Sequence, residues 1–282
     1  MTHPDRPDHF SRLAARDGTR IAYLDRTPPG HPRTSRTVRP PVLLLHGLAG
    51  HMAEWDDLTT RLLADGHRVV RYDARGHGES TRRPRDMTRA AAVQDAVTLI
   101  DHLSLSPTIL VGQSLGGLTA LLTAAAHPSL VDSLILVEAG PAGRNPDLPG
   151  QIAGWLGSWP TPFKSFADAT AFLGHEAWAR SLDWREDGGH RRVDRDTMVA
   201  AVAELATEDY WEEWARITCP TLVIRGENGT MPKAEATAMR TDVAVIPNAG
   251  HDVHLDRPDA VYEVIAPFLK ERPSLQARRR SN

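Results

Sequence analysis

A serine hydroxyl becomes a usable nucleophile at neutral pH only with a base in hydrogen-bond reach, and that base needs an orienting carboxylate. One serine of this chain sits where such chemistry is possible. Thr108 to Gly117 reads TILVGQSLGG: an apolar run ends in Gly112-Gln113-Ser114-Leu115-Gly116, and a helical pattern, Leu118 to Ala126, begins at once. Strand, sharp turn and helix around G-x-S-x-G put Ser114 at the tip of a strained turn. Gly112 and Gly116 have no Cβ to collide inside so tight a bend. The helix behind Ser114 aims its unpaired N–H groups and positive dipole end at the site, which favours a developing oxyanion.

His251 is the candidate base. Of thirteen histidines, it alone follows the last apolar run, in Asn248-Ala249-Gly250-His251, ahead of a terminal helix; His254 is its nearest rival. Three carboxylates compete as third partner. Glu138 ends the apolar run directly after the Ser114 helix, Glu227 follows the run Pro220 to Arg225, and Asp252 adjoins His251. Neighbours in an extended segment point apart, which disfavours Asp252. Asp73, His77 and Glu79 lack zinc spacing, so no metal is expected. With no G-x-G-x-x-G and no P-loop, no cofactor is expected either.

Apolar runs and amphipathic stretches must position these residues. Phe10 to Arg16 and Thr19 to Leu24 alternate around Asp17-Gly18 as a hairpin, and residues 1–9 and 25–41 read as loose terminus and loop. Val42 to Leu45, Arg68 to Tyr72, Ser133 to Val137, Pro220 to Arg225 and Val243 to Ile246 are strands; Ala53 to Ala64, Thr88 to Leu103, Pro232 to Arg240 and Pro258 to Leu269 are helices. In Thr88 to Leu103 the buried face is Ala92, Val93, Ala96, Leu99, Ile100 and Leu103. Strands alternating with helices imply an α/β fold: a mostly parallel sheet of about eight strands, covered on both faces. The rhythm breaks between 141 and 215, which hold six of the seven tryptophans and show no strand–helix alternation. That block reads as a helical cap inserted in a core of 1–140 and 216–282, over the strand ends where open α/β sheets bind ligands.

Composition agrees. A chain of 282 residues, 41% apolar and 24% charged, is long enough for one large α/β domain with an insertion. A net charge of −3 gives no reason to expect nucleic acid or a membrane surface. Arg278 to Arg280 read as a solvated tail. The polar start MTHPDRPDHF and the single cysteine, Cys219, fit a reducing cytoplasm. A monomer or homodimer acting on a small-molecule substrate is expected, though no residue pattern fixes the oligomeric state.

Taken together, the segments resemble a capped α/β-hydrolase of the serine esterase or lactonase type. His46-Gly47, Asp73-x-Arg75-Gly76-His77-Gly78-x-Ser80, the Ser114 turn, Pro220-Thr221-Leu222-Val223-Ile224-Arg225-Gly226 and Ala249-Gly250-His251 run in family order from about residue 10 to 270. The resemblance implies that Asp73 to Ser80 is a structural turn, and it implies an oxyanion hole from the N–H groups of Leu48 and Leu115. It implies a pocket at His46, Gly47, Trp155, Trp159, Trp178 and Trp184, with Phe163, Phe166 and Phe172 as further apolar candidates. His46 packed beneath the turn, and aromatics that only pin the cap, are the alternatives. Arg185, Arg191 and Arg192 read as a solvated face. One departure stands out. The family usually carries its acid in a Gly-x-x-Asp pattern after the penultimate strand, and here that stretch is Gly226-Glu227-Asn228-Gly229. Some branches carry the acid one strand earlier, where Glu138 stands, so Glu138 is the expected acid and Glu227 the alternative. A serine rather than an aspartate nucleophile implies acyl transfer on an ester or lactone of a small to medium apolar substrate. Amide, thioester or carbon–carbon hydrolysis, or ligand binding without hydrolysis, are the rival readings.

Overall fold

In the computed structural model, which describes residues 10–30 and 39–270, the apolar runs line up as one sheet. The readings of 1–9, of part of the 25–41 loop and of Arg278 to Arg280 lie outside the described residues. The strands are β1 (Ser11–Ala14), β2 (Arg20–Arg26), β3 (Val42–Leu45), β4 (Val69–Tyr72), β5 (Thr108–Gln113) and β6 (Val131–Val137). A separate pair, β7 (Asp183–Arg185) and β8 (Gly188–His190), precedes β9 (Thr221–Gly226) and β10 (Asp242–Ile246). The main sheet has eight strands in the order β1-β2-β4-β3-β5-β6-β9-β10. The β1–β2 and β2–β4 pairs are antiparallel and the rest parallel.

Period-two alternation within buried strands divides the core in two. Val42, Leu44, Ile109, Val111, Ile135 and Val137 pack in one cluster, Leu43, Leu45, Leu110, Leu134 and Leu136 in the other. Helices α1 (Asp56–Ala64), α2 (Arg89–His102) and α3 (Ser114–Ala126) follow β3, β4 and β5. Thr88 caps α2, accepting from the Ala91 N–H. The expected face of α2 is buried at Ala92, Val93, Ala96, Leu99 and Ile100, while Leu103 packs half-buried beside it. Cys219 packs half-buried against the same cluster.

Residues 141–215 hold α4 (Leu148–Gly157), α5 (Phe166–Leu173), α6 (Glu176–Arg180), α7 (Arg195–Ala201) and α8 (Trp211–Ala215) around the β7–β8 hairpin. That hairpin corrects the expectation of a block without strands: Gly188-Gly189 builds β8 instead of only breaking helices. Leu156, Trp159, Phe163, Trp178, Met198 and Val202 share an apolar cluster with Ala49, Leu115 and Leu118, so the block packs over the Ser114 end of the sheet. The chain then passes through α9 (Lys233–Ala238), α10 (Val253–Asp256) and α11 (Pro258–Lys270). None of the described helices is long and apolar enough to cross a membrane.

Candidate active site

Parallel register places Ser114 and Glu138 side by side. Gln113 pairs with Val137, and the next residue of each strand leaves the sheet with positive φ: +50° at Ser114 and +50° at Glu138. Such backbone costs on the order of 1–3 kcal/mol at a residue with a side chain and concentrates at functional sites. At Ser114 it is enforced by close packing. A Cβ on Gly116 would lie 2.3 Å from the His46 carbonyl oxygen, so α3 can start only where a glycine lets it slide beneath the β3 turn.

At Glu138 the strained backbone aims a buried carboxylate across the end of β9. Oε1 accepts from the Gly226 N–H (2.7 Å); Oε2 accepts from the N–H groups of Thr230 (2.7 Å) and Met231 (3.0 Å). Burial pushes this carboxyl up, but the His251 imidazole close by and the backbone donors of Met231 and Gly226 outweigh it. The group sits below the usual carboxylate range and is ionised at neutral pH. This explains the glycine at 229. A Cβ there would lie 2.0 Å from Oε1 and 2.3 Å from the carboxyl carbon of Glu138. The side chain from β6 fills the space that an aspartate at 229 would need.

His251 reaches the site because the loop after β10 folds back over β9. A Cβ on Gly226 would lie 2.3 Å from the Gly250 carbonyl oxygen, so that crossing also needs a glycine. The Gln113 side-chain amide donates to the His251 carbonyl (3.2 Å), and Asp256 accepts from the Gly250 N–H (2.6 Å), pinning the loop against the residue before Ser114. Nδ1 of His251 lies 3.4 Å from Glu138 Oε2 and 2.7 Å from Thr230 Oγ1. Thr230 is a residue the sequence reading missed. A threonine in a polar loop carries no signal by type; its place directly after the vacated 229 position is the one hint the sequence offers.

The turn after β3 is held from below. His77 Nε2 accepts from the Ala49 N–H (3.0 Å), and the Gly50 N–H donates to the Gly47 carbonyl (3.2 Å). The Leu48 N–H has no partner among the described hydrogen bonds. Leu115, in the first turn of α3, has an N–H with no partner inside the helix. Asp73 takes the N–H groups of Met52 (2.8 Å) and Glu79 (2.9 Å), so this stretch is the structural turn expected of it. Burial pushes the Glu54 carboxyl, which lies under the turn, up to about 8.

The remaining candidates divide between the turn after β3 and the segment 141–215. His46 is fully buried, its Nε2 accepting from Ala74 N–H (2.9 Å) and its Nδ1 2.8 Å from the Gly47 carbonyl, so it braces the turn; with Gly47, Leu115 and Gly116 it also lines a small cavity. A Cβ on Gly47 would lie 2.1 Å from Gln113 Oε1 and 3.3 Å from Ser114 Cβ, so this approach to the Ser114 turn needs a glycine. Trp184 lies over Gly189 with its indole N–H on the Ala179 carbonyl and one face toward the exposed Phe166, which ties it to the outer hairpin. Trp155, Trp159 and Trp178 form an edge-to-face cluster, with Trp155 half out in solvent and the other two buried. Of these, Trp159 borders a small cavity with Ala49, Gly50, His51 and Leu182, nearest the turn. Phe163 is buried and Phe172 exposed. Glu227 is exposed, and its carboxylate accepts from the Asn248 N–H (3.0 Å). Arg192 pairs with Glu79 and ties the block to the turn after β4, Arg191 donates to the Leu156 carbonyl (2.7 Å) within the block, and Arg185 pairs with Asp183 (2.6 Å) on the outer hairpin.

The sequence pattern of the alpha/beta hydrolase family matches residues 42–264. The chain belongs to that family. It is similar to the sn-1-specific diacylglycerol lipase ABHD11 of Mus musculus, 30% identical over 253 residues, covering 82% of this chain and 81% of the relative. It is also similar to the 2-(acetamidomethylene)succinate hydrolase of Mesorhizobium japonicum, 27% identical over 246 residues (82% and 88% of the two chains). The crystal structure of E-2-(acetamidomethylene)succinate hydrolase superposes with a TM-score of 0.79 at 21% identity, covering 93% of this chain and all of that one. As a member with hydrolase, esterase and lipase relatives, this alpha/beta hydrolase is a hydrolase.

Proposed function

We propose that this alpha/beta hydrolase is a serine hydrolase cleaving a carboxylic ester or lactone of a small to medium apolar substrate through an acyl-enzyme. Ser114 Oγ attacks the carbonyl carbon and its proton passes to His251 Nε2. The N–H groups of Leu48 and Leu115 receive the oxyanion. The protonated ring then gives its proton to the leaving alkoxide, and a water deprotonated by His251 releases the acid. Glu138 orients the ring from the Nδ1 side. The segment 141–215 is a cap whose apolar cluster, with Trp159 and Leu182 near the turn, accepts the acyl or alkyl chain. No cofactor is needed, because the serine supplies the nucleophile. We assign the enzyme to the cytoplasm, as a monomer or homodimer.

One observation carries the reading. The Glu138 carboxylate is fixed by three backbone N–H groups and faces the Nδ1 side of His251, in the space left by Gly229. Ester preference draws support from the diacylglycerol lipase relative. The test is hydrolysis of p-nitrophenyl esters of increasing acyl length beside simple lactones. The wild type turns over esters or lactones and Ser114→Ala does not. Turnover of amides alone, or equal turnover by Ser114→Ala, contradicts the reading.

A further inference from the structure

The expected partner of a triad histidine is a carboxylate, yet the shortest contact of His251 Nδ1 is a hydroxyl. Thr230 Oγ1 lies at 2.7 Å and Glu138 Oε2 at 3.4 Å. An N–H···O bond has its optimum near 2.9 Å and is weak by about 3.5 Å. Thr230 Oγ1 stands 3.4 Å from the same Oε2. The hydroxyl is a single donor with room to accept. For Nε2 to take a proton from Ser114, Nδ1 must carry its own proton and donate it. The arrangement that meets these demands has Nδ1–H donating to Thr230 Oγ1 across the short contact of 2.7 Å, while Oγ1–H faces Glu138 Oε2 across a long, weak contact of 3.4 Å.

We propose that Thr230 is a positioning residue whose hydroxyl links the His251 imidazole to the Glu138 carboxylate, fixing the ring's tautomer and tilt. The inference rests on the reading of Ser114 and His251 as nucleophile and base. No covalent bond changes at Thr230 and no proton leaves it; both bonds strengthen as the ring becomes an imidazolium, because a charged donor makes the stronger hydrogen bond. The backbone supports the role. The Thr230 N–H is one of the donors that fix Glu138, so main chain and hydroxyl of one residue hold both partners in register.

The test compares Thr230→Val, Thr230→Ser, Glu138→Gln and the double variant Thr230→Val with Glu138→Gln, on the best ester. Thr230→Val is expected to lower kcat about 10- to 100-fold with KM within about twofold. Thr230→Ser, which keeps the hydroxyl, restores kcat to within about threefold of wild type. In a chain of two bonds the losses do not add, so the double variant stays close to Glu138→Gln alone. The downfield proton resonance of His251 Nδ1–H, present in the wild type and in Thr230→Ser, shifts or vanishes in Thr230→Val. A Thr230→Val enzyme with wild-type kcat, a Thr230→Ser enzyme as slow as Thr230→Val, or additive losses would overturn the proposal. Where Thr230→Val does not fold, Thr230→Ala takes its place. Loss of hydrolysis in Ser114→Ala beside a wild-type Thr230→Val rejects this inference alone. Hydrolysis retained in Ser114→Ala rejects the reading beneath it.

Discussion

At the residue scale, the site turns on an exchange between positions 138 and 229. The missing carboxylate after β9 was legible, because Gly226-Glu227-Asn228-Gly229 departs from the family spacing while Glu138 ends the strand before it. The physical reason was not legible. It is steric: the Glu138 carboxyl fills the volume into which a 229 side chain would grow. Gly229→Asp alone therefore forces two carboxylates into one space and is expected to lower both activity and melting temperature. Paired with Glu138→Ala, the same aspartate has room. The double variant should recover at least about tenfold in kcat over Glu138→Ala, measured on one ester. A double variant no faster than Glu138→Ala would mean that the two positions are not interchangeable. His46 and Trp184 show the opposite limit of sequence reading. Their types suited a pocket, but backbone partners that no spacing reveals claim both side chains.

At the element scale, the sheet was legible because its signals are local. Short apolar runs of β-branched residues and leucine gave β3 to β6, β9 and β10, and the Asp17-Gly18 turn gave the β1–β2 hairpin. The β7–β8 hairpin was not, since three-residue strands containing Gly188-Gly189 hold no periodicity to detect. Contacts between elements are likewise hidden from sequence. Asp194 caps α7 by accepting from the Thr197 N–H (3.1 Å) and pairs across to Arg83 on the core (2.7 Å). Burial pushes its carboxyl up, but Arg83 and Thr197 outweigh that and bring it down to about 2. The folded group holds its proton less tightly than the unfolded one, so its stabilisation is present above the ordinary carboxylate range and is lost as pH falls through about 2. Asp194→Asn keeps a capping side chain and removes the charge. It is expected to lower the melting temperature by about 1–3 °C at pH 7, with the gap narrowing below pH 4 and closing near pH 2. A gap independent of pH would show that the ion pair across the two parts contributes nothing.

At the scale of the whole molecule, four loops from non-adjacent stretches of sequence meet at one sheet edge. Strand order explains why. Ser114 leaves β5, Glu138 leaves the neighbouring β6, Thr230 follows β9, and the loop after β10 crosses back over Gly226 with His251. The order of these loops along the chain was readable from the family motifs; the crossing over Gly226, the Gln113 bond to the His251 carbonyl and the threonine beside the ring were not. The central claim is that Ser114 is a nucleophile activated by His251 with Glu138 behind it. Its most direct measurement is the rate of covalent labelling by a fluorophosphonate, mapped to a residue by mass spectrometry. The account predicts one adduct, on Ser114, absent in Ser114→Ala, formed about 10²- to 10⁴-fold more slowly in Glu138→Gln and at near wild-type rate in Glu227→Gln. An unlabelled wild type, an adduct elsewhere, or a slow Glu227→Gln beside a fast Glu138→Gln would contradict it.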